Sequence, residues 1–327
     1  MSYLRSPAFI GGFAALLLGS CVFAAEQAFP VRPIRFIVPF PPGTTTDVVA
    51  RLVALKSAER LGQQVVVDNR SGASGTIGVE TVARATPDGY TWGLGTTTTH
   101  ALAHILNPKL GYDPVRDFAP VALLGESPYF LTTNPAFPAS NVREFVAHAR
   151  ANPGKVSYAS VGNFSMGHLA GELLKKAGGF EMVHVPYKGS NLALIDLLAG
   201  RIQLNISTIA ASLPHVRAGK LRALAVASPQ RVATLRDTPT VAESGFPGYE
   251  AVLWVGAFVP ARTPGAVLAR VQREVGSVLR SAEMRDALAE QAFEPGTLTP
   301  AAFAARIRDD TTRWRKVISD SGLKPDQ

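Results

Sequence analysis

Residues 33–51, PIRFIVPFPPGTTTDVVAR, have the composition of an anion-binding loop. The apolar run Ile34–Val38 predicts a buried strand, and Thr44 to Asp47 predict the start of a helix after a Pro-Pro-Gly loop. At a helix N-terminus, unpaired backbone N–H groups and the positive end of the helix dipole attract an anion. Because no phosphate-loop lysine follows Gly43, we expect a small carboxylate here rather than a nucleotide.

Three further segments have the same order of strand, small polar loop and helix start. They are residues 96–100, 160–168 and 186–191. Ser, Thr, Asn and Asp cap helices in any protein, so capping alone explains each segment taken singly. Four such loops at the same edge of parallel sheets nevertheless predict a shared cleft.

Two positions in these loops have alternative interpretations. Asp47 either caps its own helix, which we favour, or faces the cleft and holds an ordered water or a ligand ammonium. Tyr187 and Lys188 either close over a ligand or form a solvated loop, and the sequence does not separate these alternatives.

Patterns typical of catalysis or metal binding are weak. His100 and His104 are four residues apart, but no H-E-x-x-H pattern or cysteine accompanies them. No G-x-S-x-G elbow is present, and Ser165 with His168 lacks an identifiable third group. Gly93-Leu94-Gly95 lacks the third glycine of a dinucleotide fingerprint. We therefore expect binding rather than catalysis, with no catalytic residue, no metal and no cofactor.

The rest of the chain alternates short apolar strands with amphipathic helices, which predicts an α/β protein with an open, mostly parallel sheet. Ligands of such sheets bind beyond the carboxyl ends of the strands. The predicted strands are Ile34–Val38 and residues 64–67, 91–94, 156–159, 202–206 and 221–227. A final helix from about Thr299 has an apolar face, with Asp309 and Asp310 on its polar side. The C-terminal helices are expected to be scaffold.

The N-terminus predicts an export signal over residues 1–24. Arg5 precedes the apolar run 9–18, and Val22-Phe23-Ala24 resembles a signal peptidase site. Cleavage there leaves a periplasmic protein without cysteine. The alternative, which we favour less, is a lipobox that anchors the chain through Cys21.

The net charge of +8 and the pI of about 9.8 raise the question of nucleic acid or membrane binding. Lys and Arg are scattered, however, without a basic stripe interleaved with aromatic residues. We expect anionic solutes as ligands, no nucleic acid, and a monomer.

A series of segments along the chain resembles, in sequence and in order, the tripartite tricarboxylate transporter substrate-binding family, also called the Bug receptors. The resemblance runs from about Phe29 to the C-terminus. The segments include PIRFIVPFPPG, GQQVVVDNRSGASGTIG, VARATPDGYT, ANPGKVSYAS, HLAGELLKKAGG, HVPYKGS, LRALAVASPQR and PTVAESGFPGYE.

The resemblance implies a two-lobed type II periplasmic binding-protein fold, with mixed, mostly parallel sheets flanked by helices and a cleft between the lobes. Residues 25–130 plus 229–327 would form lobe 1, and residues 131–228 lobe 2. Strand-like runs near residues 128–134 and 225–229 are the predicted chain crossings. In the family a small carboxylic acid lies between the lobes. The resemblance implies that the ligand-binding residues of this chain are Gly43, Thr44, Asp47, Thr97, Thr98, Gly162, Ser165, Tyr187 and Thr208.

Departures from the family pattern bear on which ligand is bound. Thr44 stands where the family usually has a second glycine, and its hydroxyl could add a hydrogen bond to ligand or water. Ser207-Thr208 replaces the usual aspartate or asparagine.

The implied function is capture of a small organic anion for the membrane subunits of a tripartite transporter. A ligand-occupancy sensor that signals to a sensor kinase is the alternative, and a hydrolase that uses Ser165 and His168 is a weaker one.

Overall fold

A computed structural model of the protein describes residues 29–320, together with Met1 and Gly322. Apart from Met1, the predicted export signal, its cleavage site and Cys21 lie outside the described residues. Among the residues described, no helix combines the length and apolar character needed to cross a membrane.

Strands and helices alternate through most of the described chain. The strands are β1 (Ile34–Val38), β2 (Val65–Asn69), β3 (Thr91–Thr96), β4 (Phe118–Thr133), β5 (Ser157–Ser160), β6 (Val183–Pro186), β7 (Leu204–Thr208), β8 (Arg222–Val226), β9 (Val252–Pro260) and β10 (Glu294–Pro295). The helices are α1 (Thr45–Leu61), α2 (Thr76–Ala83), α3 (Ala103–Leu106), α4 (Val142–Ala151), α5 (Met166–Gly178), α6 (Ser190–Leu198), α7 (Ile209–Arg217), α8 (Gly265–Leu279), α9 (Ala282–Glu290) and α10 (Pro300–Asp320). Every predicted strand is present within a few residues of its expected bounds, whereas β6, β9, β10 and most of β4 were not predicted.

The long strand β4 belongs to both halves of the sheet, whose order is β2-β1-β3-β9-β4-β7-β5-β6. The first part of β4 pairs with β9 and β10, and its last part pairs with β7 and β8. All pairings of β4 and β9 are antiparallel, and the pairings among β1, β2 and β3 and among β5, β6 and β7 are parallel. The predicted α/β class with mixed sheets flanked by helices is confirmed, and its antiparallel centre comes from β4 and β9.

The segment between β8 and β9 packs on the half of the sheet that contains β5 to β8. Thr240 forms a parallel bridge with Val226 at the end of β8. Tyr249 donates its hydroxyl hydrogen to the Ala170 carbonyl of α5 at 2.8 Å. The chain then enters β9 at Val252 and so returns to the other half.

Helix α10 packs through its predicted apolar face, which is buried at Phe303, Ile307, Trp314 and Ile318. The structure corrects the placement of Asp310 on the polar side of this helix, because only 3% of Asp310 is exposed.

The Asp310 carboxylate joins α10 to β9. It accepts a hydrogen bond from Trp254 Nε1 at 2.8 Å and pairs with Arg306 and Arg313, each at 3.1 Å. Both arginines also pair with Glu250, at 2.7 and 2.9 Å. The buried charge is thus fully compensated, as burial of a carboxylate requires.

We expect Asp310→Ala to lower the free energy of unfolding by about 3–5 kcal/mol, because it removes one partner of a buried charged network. Guanidinium titration of the mature chain measures this loss. Asp309→Ala is the matched control, since Asp309 is exposed on the same helix turn, and it should change stability by no more than about 0.5 kcal/mol. Equal effects of the two substitutions would contradict the assigned role of Asp310.

Candidate functional site

The carboxyl ends of the parallel strands in the two halves of the sheet face each other at Pro128 and Tyr129 of β4. Thr97 follows β3, and its hydroxyl donates to the carbonyl of Val252, which lies opposite Pro128 of β4. From the other half, β7 ends at Thr208, which lies opposite Tyr129 of β4. Because Pro128 and Tyr129 are consecutive, the loops after both sets of strands converge on one place, where open α/β sheets bind ligands.

The loop between β1 and α1 follows the carboxyl end of β1, which pairs in parallel with β3, and this loop presents unpaired amides. Gly43 has φ = 79°, a left-handed conformation that favours glycine, and no atom lies within 4 Å of the position a Cβ would take. Thr44 is the N-cap of α1, and its Oγ1 accepts from the Asp47 amide at 3.4 Å. In the described part of the chain, the amides of Thr45 and Thr46 donate to no acceptor. They are the donors that the sequence predicts for an anion.

Asp47 acts within its own loop, in agreement with the capping interpretation. Its carboxylate is 2% exposed and accepts from the Gly43 amide at 2.9 Å, from Asn69 Nδ2 at 2.8 Å and from Arg51 Nε at 2.9 Å. Burial acts to raise the pKa of Asp47, but the hydrogen bonds from Arg51, Asn69 and Gly43 outweigh it and hold the pKa below its usual value. Asp47 therefore fixes the loop in its ionised form, and a direct contact with ligand stays a prediction.

Of the two predicted binding residues after β3, Thr97 has a hydroxyl that is hydrogen-bonded within the protein, and Thr98 has one that is not. Thr97 is fully buried, and its Oγ1 accepts from the Trp254 amide at 3.1 Å while it donates to Val252, so it holds the loop against β9. Thr98 opens the π-helical turn Thr98–Leu102 and is half-buried. Of the two, Thr98 keeps a side chain without a hydrogen-bond partner among the described residues.

In the loop between β5 and α5, Gly162 and Ser165 lie together. Gly162 has φ = 128°, and its carbonyl accepts from Ser165 Oγ at 2.8 Å. Ser165 is the N-cap of α5, and its Oγ accepts from the His168 amide at 3.3 Å.

The same loop argues against a Ser–His nucleophile. The imidazole Nδ1 of His168 accepts from the Phe164 amide at 2.9 Å and makes no hydrogen bond with the Ser165 hydroxyl in the described structure. The hydrogen bond that activates a serine is therefore not formed.

The loop after β6 and the start of α7 supply the remaining predicted positions. The Tyr187 hydroxyl donates to Asp196 Oδ2 at 2.8 Å, while Lys188 is exposed. Thr208 is the N-cap residue of α7, but its side chain does not cap the helix. The structure thus ties the Tyr187 side chain to α6 and leaves the first amides of α7 without a side-chain acceptor.

Sequence reasoning missed two residues that shape the loops. Asn69, at the carboxyl end of β2, joins Asp47 to the Phe40 carbonyl, and an amide at the end of a strand beside β1 was the available signal. His184 of β6 stacks on His168 and contacts Ser160 Oγ at 2.7 Å. No periodic pattern marks His184, because the contact joins separate elements.

No cluster of three or more His, Cys, Asp or Glu able to hold a metal is present among the residues the structure describes. His100 is fully buried and stacks on Phe258 with ring centroids 4.1 Å apart, as a core residue. Burial lowers its pKa to about 3, so the ring is neutral.

The sequence and the fold are similar to those of known receptors. A model of the tripartite tricarboxylate transporter family receptor matches residues 49–323. BugT of Bordetella pertussis is 36% identical over 325 residues, which are 99% of this chain and 99% of BugT.

Two solved structures are similar to this protein in fold as well as in sequence. A protein of R. palustris, solved with adipate, is 38% identical with a TM-score of 0.83, over 91% of this chain and 99% of that chain. MatC from Rhodopseudomonas palustris, solved with bound malate, is 33% identical with a TM-score of 0.78, over 89% of this chain and 100% of that chain. These likenesses confirm the predicted two-lobed periplasmic binding-protein fold. The chain therefore belongs to the tripartite tricarboxylate transporter family of receptors.

Proposed function

We propose that the protein is an exported receptor that captures a small organic carboxylate between two lobes and delivers it to the membrane subunits of a tripartite transporter. The observation that carries this proposal is the convergence of the carboxyl ends of strands from both halves of the sheet on Pro128 and Tyr129 of β4, together with the unpaired first-turn amides of α1. Such helix N-termini bind carboxylates through N–H groups and the helix dipole.

The charges around the first loop favour an anion held by amides rather than by a cation. Arg51 is occupied, because it pairs with Asp47 and also donates to Asn69 Oδ1 at 3.0 Å. The amides of Thr45 and Thr46, and hydroxyls such as that of Thr98, would then bind the negative charge of the ligand. The adipate and malate found with two relatives support a carboxylate ligand.

The lobes meet where β4 passes between the halves of the sheet, and this crossing would be one strand of a hinge. The contacts of residues 229–250 with β8 and α5 favour a second crossing near Ala251 rather than near residues 225–229. Ligand bound to both sets of helix N-termini would be buried when the lobes close, because it has more contacts in the closed state.

Export to the periplasm, a monomeric state and absence of catalysis belong to the same proposal. The export signal over residues 1–24 supports the first. The Ser165 hydroxyl, which donates to a backbone carbonyl instead of to His168, supports the last.

A thermal-shift screen of the mature chain, unfolded and refolded to remove carried ligand, tests the ligand class. The panel holds adipate, malate, other mono-, di- and tricarboxylates, aromatic acids and acidic amino acids. A ligand at a hundred times its Kd adds about 2.7 kcal/mol to the free energy of unfolding, which raises Tm visibly. We expect at least one carboxylate to do so and its amide to have no effect. A folded protein with no response to any carboxylate would contradict the proposal.

Gly43→Leu should weaken binding of that carboxylate at least about tenfold, or about 1.4 kcal/mol. The new side chain would extend into the open space at the start of α1, where no atom lies within 4 Å of the Gly43 Cβ position. Gly154→Leu is the matched control: Gly154 has φ = 73°, has no atom within 4 Å of a Cβ position, and precedes β5 at its amino end.

Both leucine substitutions carry the same backbone strain, about 1–2 kcal/mol, so their losses of stability should be similar. Calorimetric titration then separates the two, because only Gly43→Leu should lose affinity. Unchanged affinity in Gly43→Leu would show that the ligand does not lie at the α1 N-terminus.

A further inference from the structure

The imidazole rings of His168 and His184 form a face-to-face pair beneath the loop between β5 and α5. Their centroids are 3.8 Å apart and their planes differ by 4°. His168 lies in the first turn of α5 and is buried, and His184 lies in β6 and is half-buried. The pair therefore joins α5 to β6, the strand that pairs with β5.

Each ring holds one part of the loop. His168 Nδ1 accepts from the Phe164 amide at 2.9 Å, so this nitrogen must be unprotonated. His184 Nε2 lies 2.7 Å from Ser160 Oγ, and the same oxygen contacts the Gly162 carbonyl at 2.9 Å and the Gly162 amide at 3.3 Å. The two rings thus fix both ends of residues 162–164.

The backbone of Phe164 is strained, so the loop depends on contacts that hold it in place. It has φ = 57°, a left-handed conformation that is unfavourable for a residue with a bulky side chain. The hydrogen bond from its amide to His168 Nδ1 is a specific contact that offsets this strain.

The charged groups around the pair do not compensate a proton on it. Glu172 Oε1 lies 4.0 Å from His168 Nε2, but this carboxylate already pairs with Lys175 at 2.9 Å and accepts from the Tyr158 hydroxyl. Lys175 also pairs with Glu181 at 3.1 Å. Two imidazolium ions stacked next to this lysine would repel each other and the lysine.

The surroundings keep both rings neutral at physiological pH. Burial lowers the pKa of His168, although the Glu172 carboxylate opposes this. Burial, followed by His168 and Lys175, lowers the pKa of His184 to about 4. Because these folded-state values lie below the unfolded value of 6.5, acid favours any state in which the pair is opened.

We propose that His168 and His184 are positioning residues, which hold residues 162–165 ready for ligand only while both rings are neutral. This inference rests on the proposed carboxylate receptor and adds a dependence on pH. Protonation of His168 Nδ1 removes the acceptor of the Phe164 amide, and a charge on either ring disfavours the stack. The ligand then loses the donors of the second lobe.

Binding of adipate and malate, measured by calorimetry from pH 7.5 to pH 4.5, tests the proposal. The reference is the double variant His168→Asn with His184→Gln, whose amide oxygens and nitrogens replace Nδ1 and Nε2 but do not titrate. Since the carboxylates themselves titrate equally in both experiments, the wild type should lose at least tenfold more affinity than the double variant. Parallel losses in the two proteins would overturn the proposal.

A second comparison, at pH 7.5, separates positioning from simple packing. His168→Leu should weaken binding at least fivefold, because leucine offers no acceptor to the Phe164 amide, whereas His168→Asn should restore most of the loss. His148→Asn on α4 is the control, since its ring packs on Phe137 and not on the loop. Equal binding by wild type and His168→Leu would overturn the proposal.

Hydrogen exchange of residues 160–168 in the ligand-free mature chain tests the loop without any ligand. Exchange should be faster in His168→Leu than in wild type at one labelling pH, with His168→Asn close to wild type. If no carboxylate binds to any variant, the receptor proposal fails, and this exchange experiment still decides whether the histidines hold the loop.

Discussion

The length of strand β4 fixes where the loops of the two halves of the sheet meet. A strand that pairs with β9 in its first part and with β7 in its last part must carry the boundary between the two halves of the sheet. The antiparallel pairing makes the carboxyl ends of the parallel strands in the two halves point toward each other. Loops that would lie on separate edges in two independent sheets are therefore opposed at Pro128 and Tyr129, and each set can supply donors to one bound molecule.

The sequence predicts most of the elements that carry a regular pattern, namely β1, β2, β3, β5, β7 and β8, but it misses the short parallel strand β6. It does not predict β9 or most of β4, of which only the last part was expected as a strand-like run near residues 128–134. Pro120, Pro128 and Gly125 interrupt the pattern of β4, and β9 is buried throughout, so neither shows the alternation of a half-exposed strand. The opposition of the two loop sets is a property of the pairing register, so the four loops predict a shared cleft but not the strands that bring the loops together.

In the candidate site, too, the sequence predicts the residues at helix starts but not the contacts between separate elements. The types of residue at Gly43, Thr44 and Ser165 follow from the needs of a helix N-terminus, and their placement agrees with prediction. The partners of Asp47 and the stack of His168 on His184 depend on side chains brought together from different strands. Local pattern carries no information on such contacts, whereas the buried polar groups they satisfy would be costly without them.

The two halves of the sheet hold their proposed binding loops by different chemistry. The first loop depends on the ionised carboxylate of Asp47, whose pKa the hydrogen bonds from Arg51, Asn69 and Gly43 hold below its usual value. The second loop depends on neutral imidazoles, whose lowered pKa values mark the energy needed to protonate them in place. Stability from the imidazoles is complete above about pH 6.5 and is lost toward the folded pKa of about 4 for His184. Under the role proposed for the imidazole pair, acid weakens the hold on residues 162–165 before it affects the loop that Asp47 fixes.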